Sequence, residues 1–392
     1  MRQRRRPAEP LGWRDLSPDM TMRQPRRGVR TVIALVSIAV VAACASTGVG
    51  SGGPATPTAG SGVLSGDAEW PTSTREHVDL WLHGYALLTA DTARVPFFER
   101  GYRSRMRALK TQRNVLTNLD ANADQLSSRF LANPSLVNGQ FLPLYFSSFE
   151  QIQQVVNLYL QSGGDPRAAT DASLQQYFAV LSGSFPSGPD RDWLRLFVQS
   201  LADESARFYH DYWTAEQRAH TPTRQAVDSV WRVYRPRLRR FLTNTQQENG
   251  EFILSLPLDG EGRSTSASKR ENAVTVGFPD TPETAIEAVY VFAHEVVNAI
   301  TNTAIADNTS PAEQRSGATG RYAANATVRA GALLLQRAIP ELGPNYMRFY
   351  LRAAGLTAPT GDPITAFAAA FPIPDAVRDA IARQLDVVLG GI

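Results

Sequence analysis

The pattern of apolar and polar positions divides the chain into three parts. A short apolar run covers residues 31–43, a stretch dominated by Gly, Ser, Thr, Ala and Pro follows it, and apolar positions at helical spacing begin near residue 69. From there to residue 245, apolar side chains recur three and four positions apart, which is typical of helices that bury one face in a core. The pattern predicts helices at residues 74–89, 95–110, 119–131, 147–162, 170–182, 190–218 and 223–247.

The pattern changes after residue 248, where apolar residues begin to alternate with others. Segments 252–258 and 272–278 are rich in apolar and β-branched residues, and segment 259–271 between them is polar and rich in Gly and Ser. Alternation of this kind predicts two strands joined by a mobile loop. We expect the strands to pair antiparallel, with Pro257 at an edge because proline has no backbone N–H to donate to a neighbouring strand.

A long helix is predicted to follow the second strand, over residues 281–305. Asp280 can cap its first turn, Pro282 suits that turn, and Glu283 stands at the spacing of a capping box. Further helices are predicted at residues 318–338, 344–354 and 375–389.

Composition agrees with a globular fold built from these elements. Of the 392 residues, 43% are hydrophobic and 20% are charged, and a single cysteine excludes intramolecular disulfides and multi-cysteine metal sites. We therefore predict an α+β, mainly α-helical fold. A helical region over 69–248 precedes an α+β region over 249–392, and the two are expected to pack as one unit.

The net charge of +3 is unevenly distributed along the chain. The first 43 residues hold nine of the 40 basic residues and only three of the 37 acidic ones, which leaves 31 bases and 34 acids in the rest. A chain that is basic only in its first segment is not expected to bind nucleic acid.

The apolar run near the N-terminus resembles a bacterial lipoprotein signal. The run of 13 mostly apolar residues is too short for a transmembrane helix, which needs about 20, but it matches the core of a signal peptide. A basic segment precedes the run, and the chain's only cysteine follows small residues. The motif Val41-Ala42-Ala43-Cys44 is similar to the lipobox at which such lipoproteins are processed.

The resemblance implies a lipid attached to Cys44 after removal of the signal peptide at residues 1–43. Several acyl chains would anchor the protein stably to a membrane. Residues 44–68 would then be a flexible tether, and Ala45, which is not the Asp of inner-membrane retention, favours an outer membrane where the cell has one. An alternative start of translation lies at Met20 or Met22.

The helix predicted over 281–305 contains the segment His294-Glu295-Val-Val-Asn298. This segment resembles the zincin metallopeptidase helix, in which two His four positions apart bind Zn²⁺ and the Glu polarises the zinc-bound water. The flanking residues are apolar as in that family, and a strand pair precedes the helix. The resemblance covers roughly residues 250–340, but Asn298 stands where the second His belongs.

In the gluzincin branch of that family the third ligand is a Glu on the next helix. Asn325 occupies the matching position here, and Glu313 in the preceding loop is a possible substitute. A neutral Asn carbonyl is a weak zinc ligand compared with imidazole or carboxylate. The sequence therefore indicates either no cofactor or weakly bound Zn²⁺, with His294 as the one ligand that matches the family and Glu295 as the candidate catalytic base.

Three functions remain open at this point. The first is a lipid-anchored cell-envelope protein whose zincin-like domain is non-catalytic or impaired and binds envelope peptides or proteins. The second is an active metallohydrolase with an unusual ligand set. The third is a helical scaffold or assembly lipoprotein without pocket chemistry.

Overall fold

The structure, a computed structural model of the chain, describes residues 70–89, 95–268, 271–317 and 319–390. All of these residues belong to one compact unit. The predicted signal peptide, Cys44 and the predicted tether lie outside the described residues. The fold is α+β and mainly helical, as predicted. None of the helices in the described ranges combines the length and apolar character needed to cross a bilayer.

Helices fill the part of the chain before the sheet, most of them close to the positions that the periodicity predicts. The helix predicted over 95–110 begins only at Tyr102, because Gly101 before it has a left-handed backbone conformation with φ 80°. The helix predicted over 119–131 is divided at Asn122. In the helix Phe149–Gln161 the buried residues recur at three- and four-residue spacing, and Ser148 caps the first turn by accepting the N–H of Gln151 at 3.2 Å. A π-helical turn, Ser205–Tyr209, interrupts the helix predicted over 190–218. The elements are β1 (Thr72–Ser73), α1 (Glu76–Leu88), α2 (Tyr102–Gln112), α3 (Asn118–Ala121), α4 (Ala123–Ala132), α5 (Phe149–Gln161), α6 (Ala172–Ser184), α7 (Gly188–Glu204), α8 (His210–Ala219) and α9 (Thr221–Asn244).

A mixed four-stranded sheet combines the short strand β1 with three strands that follow α9. Its strands are β2 (Gly250–Ser255), β3 (Arg263–Ser268) and β4 (Glu271–Gly277), and the spatial order is β1-β2-β4-β3. Strand β2 is parallel to both of its neighbours, whereas β3 is antiparallel to β4. Strand β3 is therefore one of the two outer strands of this sheet.

Helices resume after the sheet and cover it. They are α10 (Ile286–Val296), α11 (Asn298–Asp307), α12 (Pro311–Arg315), α13 (Ala323–Ala338), α14 (Gly343–Ala353), α15 (Ile364–Ala370) and α16 (Asp375–Gly390). Helix α10 packs against β4 on one side and α13 on the other. Nearly all of its residues are buried, because it lies between the sheet and the C-terminal helices.

An aromatic cluster joins the start of the described chain to the centre of the C-terminal core. The rings of Trp70, Trp231, Phe252 and Phe292 lie with centroids 4.4–5.1 Å apart. The indole of Trp231 donates to the carbonyl of Trp70 at 2.8 Å, and the indole of Trp70 donates to the carbonyl of Gln247 at 3.0 Å. Both indole N–H groups are thus satisfied inside the core, as burial of a polar group requires.

The predicted antiparallel pairing of 252–258 with 272–278 is wrong. The segment predicted to be a loop contains β3, which pairs antiparallel with β4, and β2 pairs with β4 in the parallel sense. Two reversals of chain direction lie between β2 and β4, one before β3 and one after it, so the two strands run the same way. Strand β2 also ends at Ser255, so that Pro257 lies just beyond it.

The predicted continuous helix over 281–305 is also wrong. A short 3₁₀ turn, Pro282–Thr284, opens the segment, and Thr281 rather than Asp280 occupies the capping position. The α-helix then divides at Val297, between α10 and α11. This division falls inside the segment that resembles the zincin helix.

Candidate functional site

The last turn of α10 meets the start of β3 at the His-Glu pair. His294 and Glu295 lie in that turn, and only 5% and 3% of their surfaces are exposed. The Nε2 atom of His294 lies 3.5 Å from the Oε1 atom of Glu295, and the His294 ring lies 5.3 Å from the ring of Tyr350. The pair is therefore an interior feature at the junction of a helix and an outer strand.

The Glu295 carboxylate is held from several directions. Its Oε1 atom accepts the N–H of Gly262 at 3.3 Å, and its Oε2 atom accepts the N–H of Ser264 at 3.0 Å and the side-chain amide of Asn298 at 3.1 Å. The hydroxyl of Ser264 also donates to the Glu295 main-chain carbonyl at 3.0 Å. These bonds tie the end of α10 to the start of β3, and both carboxylate oxygens are engaged.

Two glycines permit the close approach that these bonds need. A Cβ atom on Gly262 would lie 2.2 Å from the carbonyl oxygen of Thr275 and 3.2 Å from the Cγ atom of Glu295. A Cβ atom on Gly331 in α13 would lie 2.2 Å from the hydroxyl of Tyr346 and 3.2 Å from the Cα atom of His294. Both positions exclude any larger residue unless the backbone or the tyrosine moves.

Burial shifts the two ionisable groups of the pair toward their neutral forms. It lowers the pKa of His294 to about 3, and the nearby Arg263 guanidinium acts in the same direction. Burial raises the pKa of Glu295 to about 7, where Arg263 opposes the shift and Glu261 adds to it. At neutral pH His294 is therefore uncharged and Glu295 is close to its titration point.

Asn298 follows the division between α10 and α11, and it bonds to Glu295. Besides the carboxylate contact, its amide donates to the Glu295 main-chain carbonyl at 2.9 Å and to the Ser264 hydroxyl at 3.2 Å. Its Oδ1 atom accepts from the hydroxyl of Thr327 at 3.4 Å. Asn298 thus helps hold Glu295 in place and connects it to α13.

The other two predicted ligand positions make their bonds elsewhere. Asn325 donates to the carbonyl of Pro372 at 3.1 Å, and Thr327, two residues later, is the α13 residue that reaches Asn298. Side chains two positions apart on a helix point in directions about 200° apart, so Asn325 and Thr327 project from nearly opposite faces of α13. Glu313 is exposed and caps its own helix α12 by accepting the N–H of Ser310 at 2.8 Å.

The donor set at this site does not fit a catalytic zinc ion. Such sites use three protein ligands from His, Cys, Asp or Glu, and an open position for water. Within the described ranges, no three side chains of these types are gathered closely enough to hold an ion. The Nδ1 atom of His294 is buried without a hydrogen-bond partner, but Glu295 already uses both oxygens, and Asn298 contributes only an amide.

A second buried cluster of ionisable side chains lies among α1, α2 and α7. The motifs and residue spacings of the sequence did not predict it. The Nζ atom of Lys110 lies 2.7 and 3.0 Å from the two carboxylate oxygens of Glu204. The Nε2 atom of His83 lies 3.0 Å from the same carboxylate, and its Nδ1 atom lies 3.0 Å from the hydroxyl of Tyr102. Burial alone would raise the pKa of Glu204, but His83 and Lys110 together lower it to about 2.

Asp79 is a further buried ionisable residue, one turn before His83 on α1. Its Oδ2 atom accepts the indole N–H of Trp213 at 2.9 Å and the N–H of Leu256 at 3.4 Å, and the Ser255 side chain also contributes a hydrogen bond to this carboxyl. Burial raises the pKa of Asp79 to about 7. Asp79 thus connects α1 to α8 and to the residue that follows β2.

Asp79→Asn is expected to stabilise the protein at pH 7 and to change little near pH 4. The native carboxyl stays protonated up to about pH 7, whereas in the unfolded chain it ionises near its ordinary pKa of 3.8. Its contribution is complete below about pH 4 and is lost as the pH rises through 7. Since the amide cannot ionise, the gain at pH 7 should be on the order of 1–3 kcal/mol.

Denaturant unfolding at pH values from 4 to 8 measures this difference. A free-energy difference between Asp79→Asn and wild type that stays constant over that range would contradict the assignment.

The arrangement at Glu295 is suited to holding two elements together. A carboxyl group with a pKa of about 7 could exchange a proton at neutral pH. Its oxygens, however, already accept hydrogen bonds from Gly262, Ser264 and Asn298, and only 3% of the Glu295 surface is exposed. Comparisons with models of known protein families, with curated proteins and with solved structures find no match for this chain.

Proposed function

We propose that the protein is a lipid-anchored component of the bacterial cell envelope whose zincin-like region binds other molecules and does not catalyse hydrolysis. The lipobox-like motif ending at Cys44 supports the location. The burial of the hydrogen-bonded Glu295 carboxylate is the observation that supports the lack of catalysis. A base that polarises water must reach that water in a wet cleft, and Glu295 is buried under β3, where it already accepts three hydrogen bonds.

Envelope peptides or proteins are the proposed ligands, and β3 is the proposed contact. Strand β3 is an outer strand of the sheet, which makes it available for strand addition. A peptide strand would have to compete with Glu295 for the N–H of Ser264. Binding is therefore favoured along the part of β3 that follows Ser264.

Zinc binding and peptide hydrolysis test the proposal, with Asn298→His as the informative variant. In the wild type, a chelator is expected to leave the melting temperature unchanged, because no ion is linked to the native state, and purified protein should not hydrolyse peptides. Asn298→His restores the second imidazole of the zincin helix. If the backbone is zincin-like, the variant should bind Zn²⁺ at least about tenfold more tightly, which corresponds to about 1.4 kcal/mol.

Two outcomes would contradict parts of this proposal. Chelator-sensitive hydrolysis that Glu295→Gln abolishes, without loss of the fold, would establish the active metallohydrolase instead. An Asn298→His protein that binds Zn²⁺ no better than wild type would reject the zincin-like helix and leave the scaffold lipoprotein. Glu271→Gln, at an exposed residue that begins β4, is the matched control for the glutamate substitution.

A further inference from the structure

The outward face of α9 carries a dense group of arginines. Arg232, Arg235, Arg239 and Arg240 stand at positions i, i+3, i+7 and i+8, the spacing that places residues on one side of a helix. Three of them are exposed and Arg235 is half-buried, whereas the opposite side of α9 enters the C-terminal core. We call these four residues the α9 basic face.

The contacts of Arg232 and Arg240 leave their charges largely exposed to solvent. Arg232 forms an ion pair with Asp228 on its own helix but keeps 70% of its side chain exposed. Arg240 donates to the carbonyl of Gly390, a neutral group. The α9 basic face therefore presents a local positive surface, although the chain after residue 43 is slightly acidic overall.

Exposed apolar side chains accompany the arginines. Val233 in α9 is 64% exposed, and Val387 is 55% exposed on α16, which packs beside α9. Asn244 at the end of α9 donates to the carbonyl of Val388 at 2.7 Å, which fixes the end of α16 next to this face. Val233 is seven positions before Arg240 and therefore lies on the Arg240 side of the face, whereas it projects away from Arg235, two positions after it. Basic and apolar groups thus meet around Arg240, and this combination is found in helices that lie on anionic membranes.

The chain enters the described structure beside the same helix. Trp70 accepts a hydrogen bond from Trp231 of α9, and Thr72 donates to Asp228, one turn before Arg232. From Cys44 to residue 69 there are 26 residues, which reach at most about 90 Å when fully extended. An anchor at Cys44 would thus be connected to the domain on the α9 side, and it would keep the domain within that distance of the membrane.

We propose that the α9 basic face docks on the anionic phospholipid headgroups of the membrane that holds the anchor. This rests on the proposed lipid anchor for its setting, but the contact itself is a property of the folded domain. Each arginine near an anionic surface gains electrostatic energy that salt screens, and the attached tether keeps the surface within reach. The domain then lies with α9 toward the membrane. Strand β3 forms the edge of the sheet opposite β1, which is the strand nearest the tether.

Vesicle co-sedimentation of the chain from residue 58 to 392 tests the proposal. This chain contains all the described residues in one compact unit, and it lacks Cys44, so acylation cannot contribute. It is expected to bind vesicles that contain phosphatidylglycerol at low salt and to dissociate from them at 0.5 M salt, where the Debye length is roughly 4 Å. It should not bind vesicles of pure phosphatidylcholine.

The variant Arg232→Gln/Arg235→Gln/Arg239→Gln should bind the anionic vesicles about tenfold or more weakly, with an unchanged melting temperature. The matched control is Arg107→Gln/Arg167→Gln/Arg195→Gln. It removes the same charge from exposed positions in the part of the chain that surrounds the other hydrophobic core, and it should bind like wild type.

Equal loss in both triple variants would mean that net charge and not the α9 basic face drives binding. Absence of binding at low salt, equal binding to neutral vesicles, or tighter binding to duplex DNA than to anionic vesicles would also overturn the proposal. None of these results bears on whether Cys44 is acylated, so failure of this inference is distinguishable from failure of the lipid anchor.

Discussion

Cys44→Ser is expected to abolish acylation and processing of the protein. The thiol is the acceptor of the lipid in the lipoprotein family that the motif resembles, and a serine hydroxyl does not replace it in that reaction. Wild-type protein should carry acyl chains at a new N-terminus, and each buried CH₂ group contributes about 0.8 kcal/mol to membrane attachment. The variant should keep its signal segment and carry no lipid.

Mass spectrometry of protein extracted from the membrane fraction measures both changes. Ser46→Ala, two residues beyond the proposed lipid site, is the control and should be processed like wild type. The lipoprotein assignment fails if wild-type Cys44 carries no lipid and if globomycin, which blocks lipoprotein signal peptidase, leaves processing unchanged.

Glu204→Ala is expected to cost about 3–5 kcal/mol of folding free energy. The substitution removes the acceptor of two bonds from Lys110, whose side chain is 3% exposed, and of one bond from His83. An ammonium group left in the interior with incomplete pairing is strongly destabilising. Asp120, 2.5 Å from the Lys110 ammonium, limits the loss and keeps it below that of a fully isolated charge.

Thermal and denaturant unfolding of three proteins tests the expectation. Glu204→Gln keeps the shape but not the charge and should fall between wild type and Glu204→Ala. Glu341→Gln removes an exposed partner of Arg237 and is expected to leave the unfolding midpoint unchanged, because exposed ion pairs contribute little. A Glu204→Ala protein as stable as Glu341→Gln would show that the buried cluster does not hold α2 and α7 together.

The helices could be predicted because a buried face leaves a period in the sequence. Helix α5 and helix α16 lie within two residues of their predicted bounds, since each buries one regular stripe against the core. Strand β3 left no such signal. Its sequence, Arg-Ser-Thr-Ser-Ala-Ser, is polar because it is an outer strand, and its stability comes from backbone pairing to β4.

Strand direction and distant contacts could not be predicted for a related reason. Alternation of apolar residues indicates a strand and a face but says nothing about parallel or antiparallel pairing. Likewise, Glu204 meets Lys110 across 94 residues and His83 across 121, and no spacing rule covers such separations.

The candidate site was predictable in part. The sequence singled out His294, Glu295 and Asn298, and the structure brings Glu295 and Asn298 into direct contact. The role of Asn298 differs from a ligand position because the helix divides at Val297, just before it. The contact of Thr327 with Asn298 was not predicted, because the family pattern points to Asn325. Residues two positions apart lie on different faces of a helix.

The aromatic cluster at the start of the domain also determines how the protein would respond to mechanical force. A pull on the chain that precedes the domain would act first on Trp70, whose ring is buried against Trp231 and whose indole and carbonyl are both hydrogen-bonded in the core. No loop among the described residues lies between that point and the core to yield under load. Tension on the chain would therefore be carried directly by the interior, and the first mechanical event would be the extraction of a single indole ring.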